Sequence, residues 1–369
     1  MVRTRFRADI QGLRALAVLL VVAGHLFPTV VKGGFIGVDI FFVISGFVIT
    51  QQMIAMHDSN EPRFLLHFYS RRIRRILPSA LLVTIATIWA TGYFLGPVAA
   101  NDANRDGGWA TVFLSNFHFH NTVVDYFAAG TQVSPLQHFW SLSIEEQFYL
   151  VWPTLFLLLF ALPISRLFKQ IALGAIVASS FFYAMYATQL NESVIFFSTS
   201  TRIWELGVGA LIALNQKSLA FPVRYMASFL PLILVASAFV ITQSMQWPRI
   251  TALPIIVITV LLLMRDPSTQ RVSLLENRAA TYIGDLSYII YLWHWPILII
   301  IKARAGEVGV KEILTVVILT AVLSIATHHL FENPIRHSAR LNSSPVLTVS
   351  MGITAIAICA TTLFSQYQG

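Results

Sequence analysis

The chain has 369 residues, 56% of them hydrophobic and only 11% charged, with 27 phenylalanines. Soluble domains are about a quarter charged, so this composition, with a mean hydropathy of +0.70, excludes an ordinary soluble domain and defines an integral membrane protein. The net charge of +8 reads as a topology signal and not as nucleic-acid affinity, while the single cysteine, Cys359, excludes an intrachain disulfide and argues against thiol catalysis or a cysteine metal site.

Apolar runs near 20 residues fall at about 10–30, 35–56, 76–96, 136–162, 170–188, 196–214, 225–243, 249–264, 280–301, 310–331 and 344–364, predicting an all-α polytopic bundle of eleven helices. The first run follows MVRTRFR like a signal peptide, but Arg14 interrupts it and many spans follow, so it reads as a retained helix. Seventeen of the 25 basic residues, among them Arg3, Arg5, Arg7, Arg63, Arg166, Lys169, Arg336 and Arg340, fall on one set of alternate loops. The positive-inside rule then places the N-terminus and the 57–75 loop in the cytoplasm and Gly369 outside. The longest loop, 97–135, lies outside on this reading. It holds a semi-apolar stretch, GWATVFLSNFHF, expected to dip back into the interface, with His118 and His120 as surface or interface residues. The ninth run, GDLSYIIYLWHWPILII, has a proline, Pro296, in mid-helix. The expected division is a transmembrane domain over 1–340 and an eleventh helix with an outward-facing end over 341–369.

Ionisable groups inside spans cost at least about 2.5–3.5 kcal/mol each near the bilayer centre, so they face a bundle interior or a wet cavity. Arg14 and His25 bracket RALAVLLVVAGH. Eleven residues of helix turn through about 1100°, some 20° past three full turns, so the two share a face and stand about 16 Å apart along the axis. A neutral imidazole in a low-dielectric site suits His25 to act as a general base, and the permanently charged Arg14 suits an anionic ligand. The second run carries Asp39 and Ser45, and the fourth the adjacent Glu145 and Glu146. These two carboxylates are about 100° apart on a helix, so at most one points straight into a site. Arg202 and Glu205, three apart, read first as a structural ion pair. Ser287, Tyr291 and His294 lie on one helical face, where His294, between two tryptophans, reads equally as an interfacial aromatic-belt residue. In HFYSRRIRRILP, four arginines within five positions exceed what orientation needs, and Arg72 and Arg75 are spaced to clamp one phosphate. No HxxxH, HxxE or paired-histidine spacing within the spans supports a metal site.

Six segments in order, Arg14–x10–His25, GVDIFFVISGF (37–47), FYSRRIRRILP (68–78), WSLSIEEQFYLVWP (140–153), GDLSYIIYLWHWP (284–296) and FENPIR (331–336), resemble the acyltransferase-3 family of bacterial membrane O-acyltransferases. The resemblance runs from about residue 9 to 336. It implies a ten-helix core, with the eleventh helix added, that moves an acyl group, usually acetyl from acetyl-CoA, onto a hydroxyl of a cell-surface glycan. By motif, the family's essential histidine and arginine fall on His25 and Arg14 and its RxxR pair on Arg72 and Arg75. FENPIR and the eleventh run are similar to the subgroup of Gram-negative O-antigen acetyltransferases whose last helix leads to an outer SGNH-type domain. Since this sequence ends at Gly369, it is expected to be either a truncated module or a member working without that domain.

On this reading His25 is the base toward the sugar hydroxyl, with Glu145 first, and Asp39 or Glu146 in reserve, as the carboxylate orienting its ring. An acyl-histidine relay is the covalent variant. Arg72, Arg75, Asp39, Ser45, Glu146, Ser287, Tyr291 and His294 are the expected substrate-binding residues. No permanently bound cofactor is expected: acetyl-CoA is a substrate, the acceptor is a lipid-linked or surface glycan, and the surroundings are lipids of a bacterial inner membrane. The rival class is a transporter or channel with an intramembrane Arg/His/Glu pathway. Against it, no repeated half with paired broken helices is visible.

Overall fold

The computed structural model describes residues 7–122, 133–187, 196–219, 228–242, 250–265 and 273–367, and contains helices and no strand among them. Arg3, Arg5, the 123–132 part of the long outer loop, the first residues of the 225–243 and 249–264 runs, and Gly369 lie outside the described residues. Eight helical stretches are long and apolar enough to cross a membrane. They are α1 (Ala8–Leu26), α2 (Ile36–Asp58), α3 (Phe64–Leu95), α6 (Phe139–Ala161), α7 (Arg166–Ala187), α12 (Arg278–Ala305), the run beginning with α13 (Val310–Thr327), and α16 (Pro345–Gln366). α8 (Thr199–Leu219) is long enough but carries Arg202 and Glu205, while α9 (Leu230–Val240) and α10 (Leu253–Met264) have only 11 and 12 residues. The chain is therefore an all-α, multi-pass membrane protein. Each expected run has its helix, although the helices of the seventh and eighth runs are shorter than the runs themselves.

Two further expectations are corrected. α3 begins at Phe64, twelve residues before the apolar run, because arginine is a good helix former and the cluster at 71–75 is wound into the helix and not into its approach. The outer loop folds into α4 (Pro97–Thr111) and α5 (Ser115–Thr122), where Phe119 and His118 are buried.

The chain divides into two compact units, one of residues 1–61 and 144–287 and the other of 62–143 and 288–369. In the first unit, α1, α2, α8, α9 and α10 share a core that includes Leu13, Ala17, Ile40, Val43, Phe47, Trp204, Leu234 and Ile255. Lipid is as apolar as leucine, so membrane helices gain most from close packing, and glycine permits the closest approach. A methyl group on Gly46 of α2 would overlap the Leu206 carbonyl of α8, and one on Gly209 of α8 would overlap that of Val43. At the start of α1 the buried carboxylate of Asp9 takes a 2.7 Å ion pair from Arg7 and a 3.4 Å one from Arg265. Arg265 also pairs with Glu276 of the short α11 (Ser273–Glu276).

In the second unit α3 packs against α4 and α16. After α13 the chain makes a π-helical turn, His328–Glu332, followed by α14 (Asn333–Arg336) and α15 (Ala339–Ser343). The turn and α14 lie on α3, and Arg74 donates to the Leu341 carbonyl at 3.1 Å.

Gly46→Ala is expected to lower the melting temperature of the detergent-purified protein, because overpacking costs about 1–3 kcal/mol. Gly174→Ala, in α7 where a methyl group meets nothing within 4 Å, is expected to raise it slightly, since alanine is favoured over glycine in a helix by about 0.5–1 kcal/mol. Equal melting curves for the two variants would contradict this packing.

Candidate functional site

In the first unit, Arg14 and His25 are both half-buried on α1, Arg14 donating to Gln11 Oε1 at 3.3 Å and His25 standing in the last turn. The residue before His25, Gly24, would bring a Cβ within 2.7 Å of the Gly34 Cα, so the backbone just before α2 runs directly against this end of α1. The helical register keeps the arginine and the histidine on one stripe about three turns apart.

α2, α6 and α8 supply the carboxylates. Asp39 is fully buried, and Arg202 Nη1 donates at 2.7 Å both to Asp39 Oδ1 and, across one turn of α8, to Glu205 Oε1. The Arg202 guanidinium lies 5.7 Å from the ring centroids of Phe42 and of Phe196. The ion pair read from the i,i+3 spacing is thus present, with Asp39 as its third member. Removing so enclosed a charge would strand two carboxylates in an apolar interior. Glu145 is half-buried and accepts hydrogen bonds from the Ser45 and Tyr149 hydroxyls through one oxygen, Oε1. Its neighbour Glu146 is also half-buried, and Gln147 receives a 2.6 Å hydrogen bond from Thr199 of α8. Trp152 Nε1 donates to Thr50 Oγ1 at 2.8 Å, so α6 is held to α2 by a buried polar contact as well as by the Ser45–Glu145 bond. Ser287 belongs to this unit, fully buried, with no hydrogen-bond partner for its hydroxyl among the described residues.

In the second unit Arg72 and Arg75 are half-buried on α3, three residues apart, with the Arg72 guanidinium 5.9 Å from the Phe68 ring centroid. Tyr291 and His294 are buried on α12 together with His138 and Ser141, on the approach to α6 and in its first turn. Tyr291 Oη lies 2.6 Å from Ser141 Oγ and donates at 3.0 Å to the His138 carbonyl. His294 Nδ1 faces the carbonyls of Tyr291 and Ile290 at 2.7 and 3.2 Å. Carbonyls only accept, so Nδ1 carries a hydrogen. This histidine is a buried, hydrogen-bonded group, which removes the aromatic-belt reading. His138 is a functional candidate that its own sequence context does not flag.

The surface reading of His118 is corrected as well. Its Nε2 lies 2.8 Å from Asp106 Oδ1, and its ring stacks on Trp109 with centroids 5.6 Å apart. α5 folds back onto α4 and buries the histidine, because there its polar edge finds a carboxylate and its face an indole.

The structure thus brings Ser45, Glu145 and Tyr149 together, and Asp39, Arg202 and Glu205, in the first unit, and Tyr291, Ser141 and His138 in the second. The chain belongs to the acyltransferase-3 family: the family model described as an acyltransferase domain matches residues 7–364. It is 32% identical over 359 residues to the peptidoglycan O-acetyltransferase OatA of Listeria monocytogenes, covering 92% of this chain and 57% of the relative. Against the O-acetyltransferase OatA of Staphylococcus aureus it is 28% identical over 348 residues, covering 90% of this chain and 57% of that one. The chain thus spans a little over half the length of these curated relatives. No solved structure gives a significant match.

Replacing Arg202 by methionine is expected to cost about 3–5 kcal/mol, the loss typical of breaking a buried ion pair on one side. The readout is the melting temperature and yield of purified protein. Adding Asp39→Asn and Glu205→Gln should restore much of the loss, and a single variant that melts like wild type would refute the dependence on Arg202.

Proposed function

We propose that this chain is the membrane part of an O-acetyltransferase that moves acetyl from cytoplasmic acetyl-CoA to a hydroxyl of a cell-surface glycan. The observation that carries the reading is the family match over residues 7–364, in which Arg14 and His25 share one stripe of a largely buried helix. The proposed orientation has the N-terminus in the cytoplasm and the end of α16 outside, in a bacterial inner membrane, on the strength of the basic-residue asymmetry. For the acceptor, the name of the Listeria relative points to peptidoglycan, and the motif resemblance to lipopolysaccharide O-antigen. Both are glycans with free hydroxyls, and mass and NMR analysis of each fraction separates them. An outer SGNH-type domain is proposed as a partner, fused or separate, which agrees with the greater length of the relatives.

The chemistry follows from the side chains. His25 takes the proton of the acceptor hydroxyl as its oxygen attacks the acetyl carbonyl carbon; the C–O bond forms, the C–S bond breaks, and the imidazolium returns the proton to the departing thiolate. In the covalent variant, His25 itself is acylated first. Arg14 holds the anionic part of the donor through its planar fork. Glu145, clamped by Ser45 and Tyr149, is the proposed carboxylate for the histidine, with Glu146 in reserve. Asp39 is the more distant candidate, because Arg202 already engages it. Arg72 and Arg75 are the proposed phosphate grip, and Ser287, Tyr291 and His294 the proposed lining.

His25→Ala is expected to lower acetylation by at least about 10²-fold, the low end of what general base catalysis contributes, with protein level and melting unchanged. Arg14→Lys should be severely impaired too, because an ammonium cannot reproduce a planar fork. Near-normal acetylation by His25→Ala at wild-type protein levels would end the assignment. Arg72→Gln with Arg75→Gln is expected to raise the Michaelis constant for acetyl-CoA roughly tenfold or more, since charge-assisted hydrogen bonds contribute about 1.5–3 kcal/mol each. Donor binding to wild type should also weaken as salt rises. Equal donor affinity of the purified double variant and wild type would assign these arginines to topology alone.

A further inference from the structure

We infer that His138 is a positioning residue of this acyltransferase: its Nε2–H takes the place of the amide hydrogen that Pro296 lacks, and so fixes the turn of α12 that carries Tyr291 and His294. The inference rests on the proposed function only in giving Tyr291 and His294 a place in substrate handling; the hydrogen-bond substitution stands apart from it.

In an α-helix the amide of residue 296 would donate to the carbonyl of residue 292. Proline has no amide hydrogen, and a carbonyl left unbonded in a dry interior is costly. α12 nevertheless continues through Pro296 to Ala305. His138 Nε2 lies 3.1 Å from the Leu292 carbonyl oxygen, and both side chains are buried. Since the carbonyl can only accept, Nε2 carries the hydrogen, and the tautomer of His138 is set by the proline four residues beyond its acceptor.

The contact is reciprocal. The Tyr291 hydroxyl donates at 3.0 Å to the His138 backbone carbonyl, while the His138 side chain donates to the backbone of the next residue of α12, Leu292. Consecutive residues of α12 therefore grip both ends of one histidine. The His138 ring stands against its neighbours at centroid distances of 5.6 Å to Tyr291 and 6.0 Å to His294. Without the Nε2 hydrogen the Leu292 carbonyl must find another donor, and the turn bearing Tyr291 and His294 shifts with it.

The test uses four variants of the full chain, purified in detergent and also assayed in membranes with labelled acetyl-CoA. His138→Phe keeps the ring and deletes the donor. His138→Gln places an amide nitrogen where Nε2 stood. Pro296→Ala returns the missing amide hydrogen, and the fourth variant combines His138→Phe with Pro296→Ala. His138→Phe is expected to lower kcat roughly ten- to a hundredfold, the effect of an ångström-scale misplacement of a reacting group, with the donor KM little changed. His138→Gln should retain most of the activity. In melting, His138→Phe should lower the midpoint in the Pro296 background and leave it nearly unchanged in the Pro296→Ala background, where the helix supplies its own donor.

Equal midpoint losses in the two backgrounds would overturn the substitution of imidazole for amide. Wild-type kcat in His138→Phe, or equal impairment of the Phe and Gln variants, would overturn the positioning role. If wild type itself transfers no acetyl to any glycan fraction, the proposed function fails instead, and the melting comparison alone still decides whether His138 replaces the missing amide.

Discussion

A guanidinium enclosed in a protein interior has no water to lean on, and the first unit is organised around that fact at the fully buried Arg202. One nitrogen of this side chain reaches Asp39 on α2 and Glu205 on its own helix, both at 2.7 Å. Two glycines, Gly46 and Gly209, remove the side chains that would hold α2 and α8 apart. Close packing and ion pairing therefore depend on each other. The backbones approach because the glycines allow it, and the approach lets a carboxylate of one helix meet an arginine of the other while excluding water from both. α2 also carries Ser45, and through it the contact with Glu145 on α6, so the placement of that carboxylate is inherited from the α2–α8 packing.

The same economy of polar groups runs through the second unit. Each tryptophan beside His294 spends its indole hydrogen on a partner, Trp293 on the Thr327 hydroxyl and Trp295 on the Ser134 carbonyl, both at 3.0 Å. Tyr288 donates to the Ile76 carbonyl on α3 at 2.9 Å. α12 is consequently tied by named polar bonds to α3, to α13 and to the approach to α6, which apolar contact alone would leave free to slide.

Hydropathy makes the existence of the helices legible, because twenty apolar residues have few alternatives in lipid. It does not mark their ends. α3 extends twelve residues upstream because arginines propagate a helix as well as they orient a span, and a hydropathy window registers only the second effect. α9 and α10 are short although their runs look ordinary. In the candidate site, pairs close in sequence were legible from periodicity, as with Arg14 and His25 or Arg202 and Glu205. Partners far apart in the chain were not: Asp39 is 163 residues from Arg202, His138 is 154 from Leu292, and Ser45 is 100 from Glu145. Helical periodicity relates residues within a few turns of one helix and carries nothing over such distances. Pro296 was the one local mark of the His138 contact, since it announces an unbonded carbonyl without saying which side chain answers it.

The π turn at His328–Glu332 gives the FENPIR motif a geometric meaning. A turn with one residue more than an α-helical turn brings His328 Nδ1 to 3.2 Å from Glu332 Oε2, while Asn333 Nδ2 lies 3.0 Å from the other ring nitrogen. The extra residue also sets the phase of everything after it. Arg336, the Leu341 carbonyl that receives Arg74, and the start of α16 all lie downstream. Deleting one residue from the turn would rotate them by about 100° about the helix axis and carry them off α3. This stretch measures chain length residue by residue, and an insertion or deletion that a surface loop would absorb becomes here a change in what α3 touches.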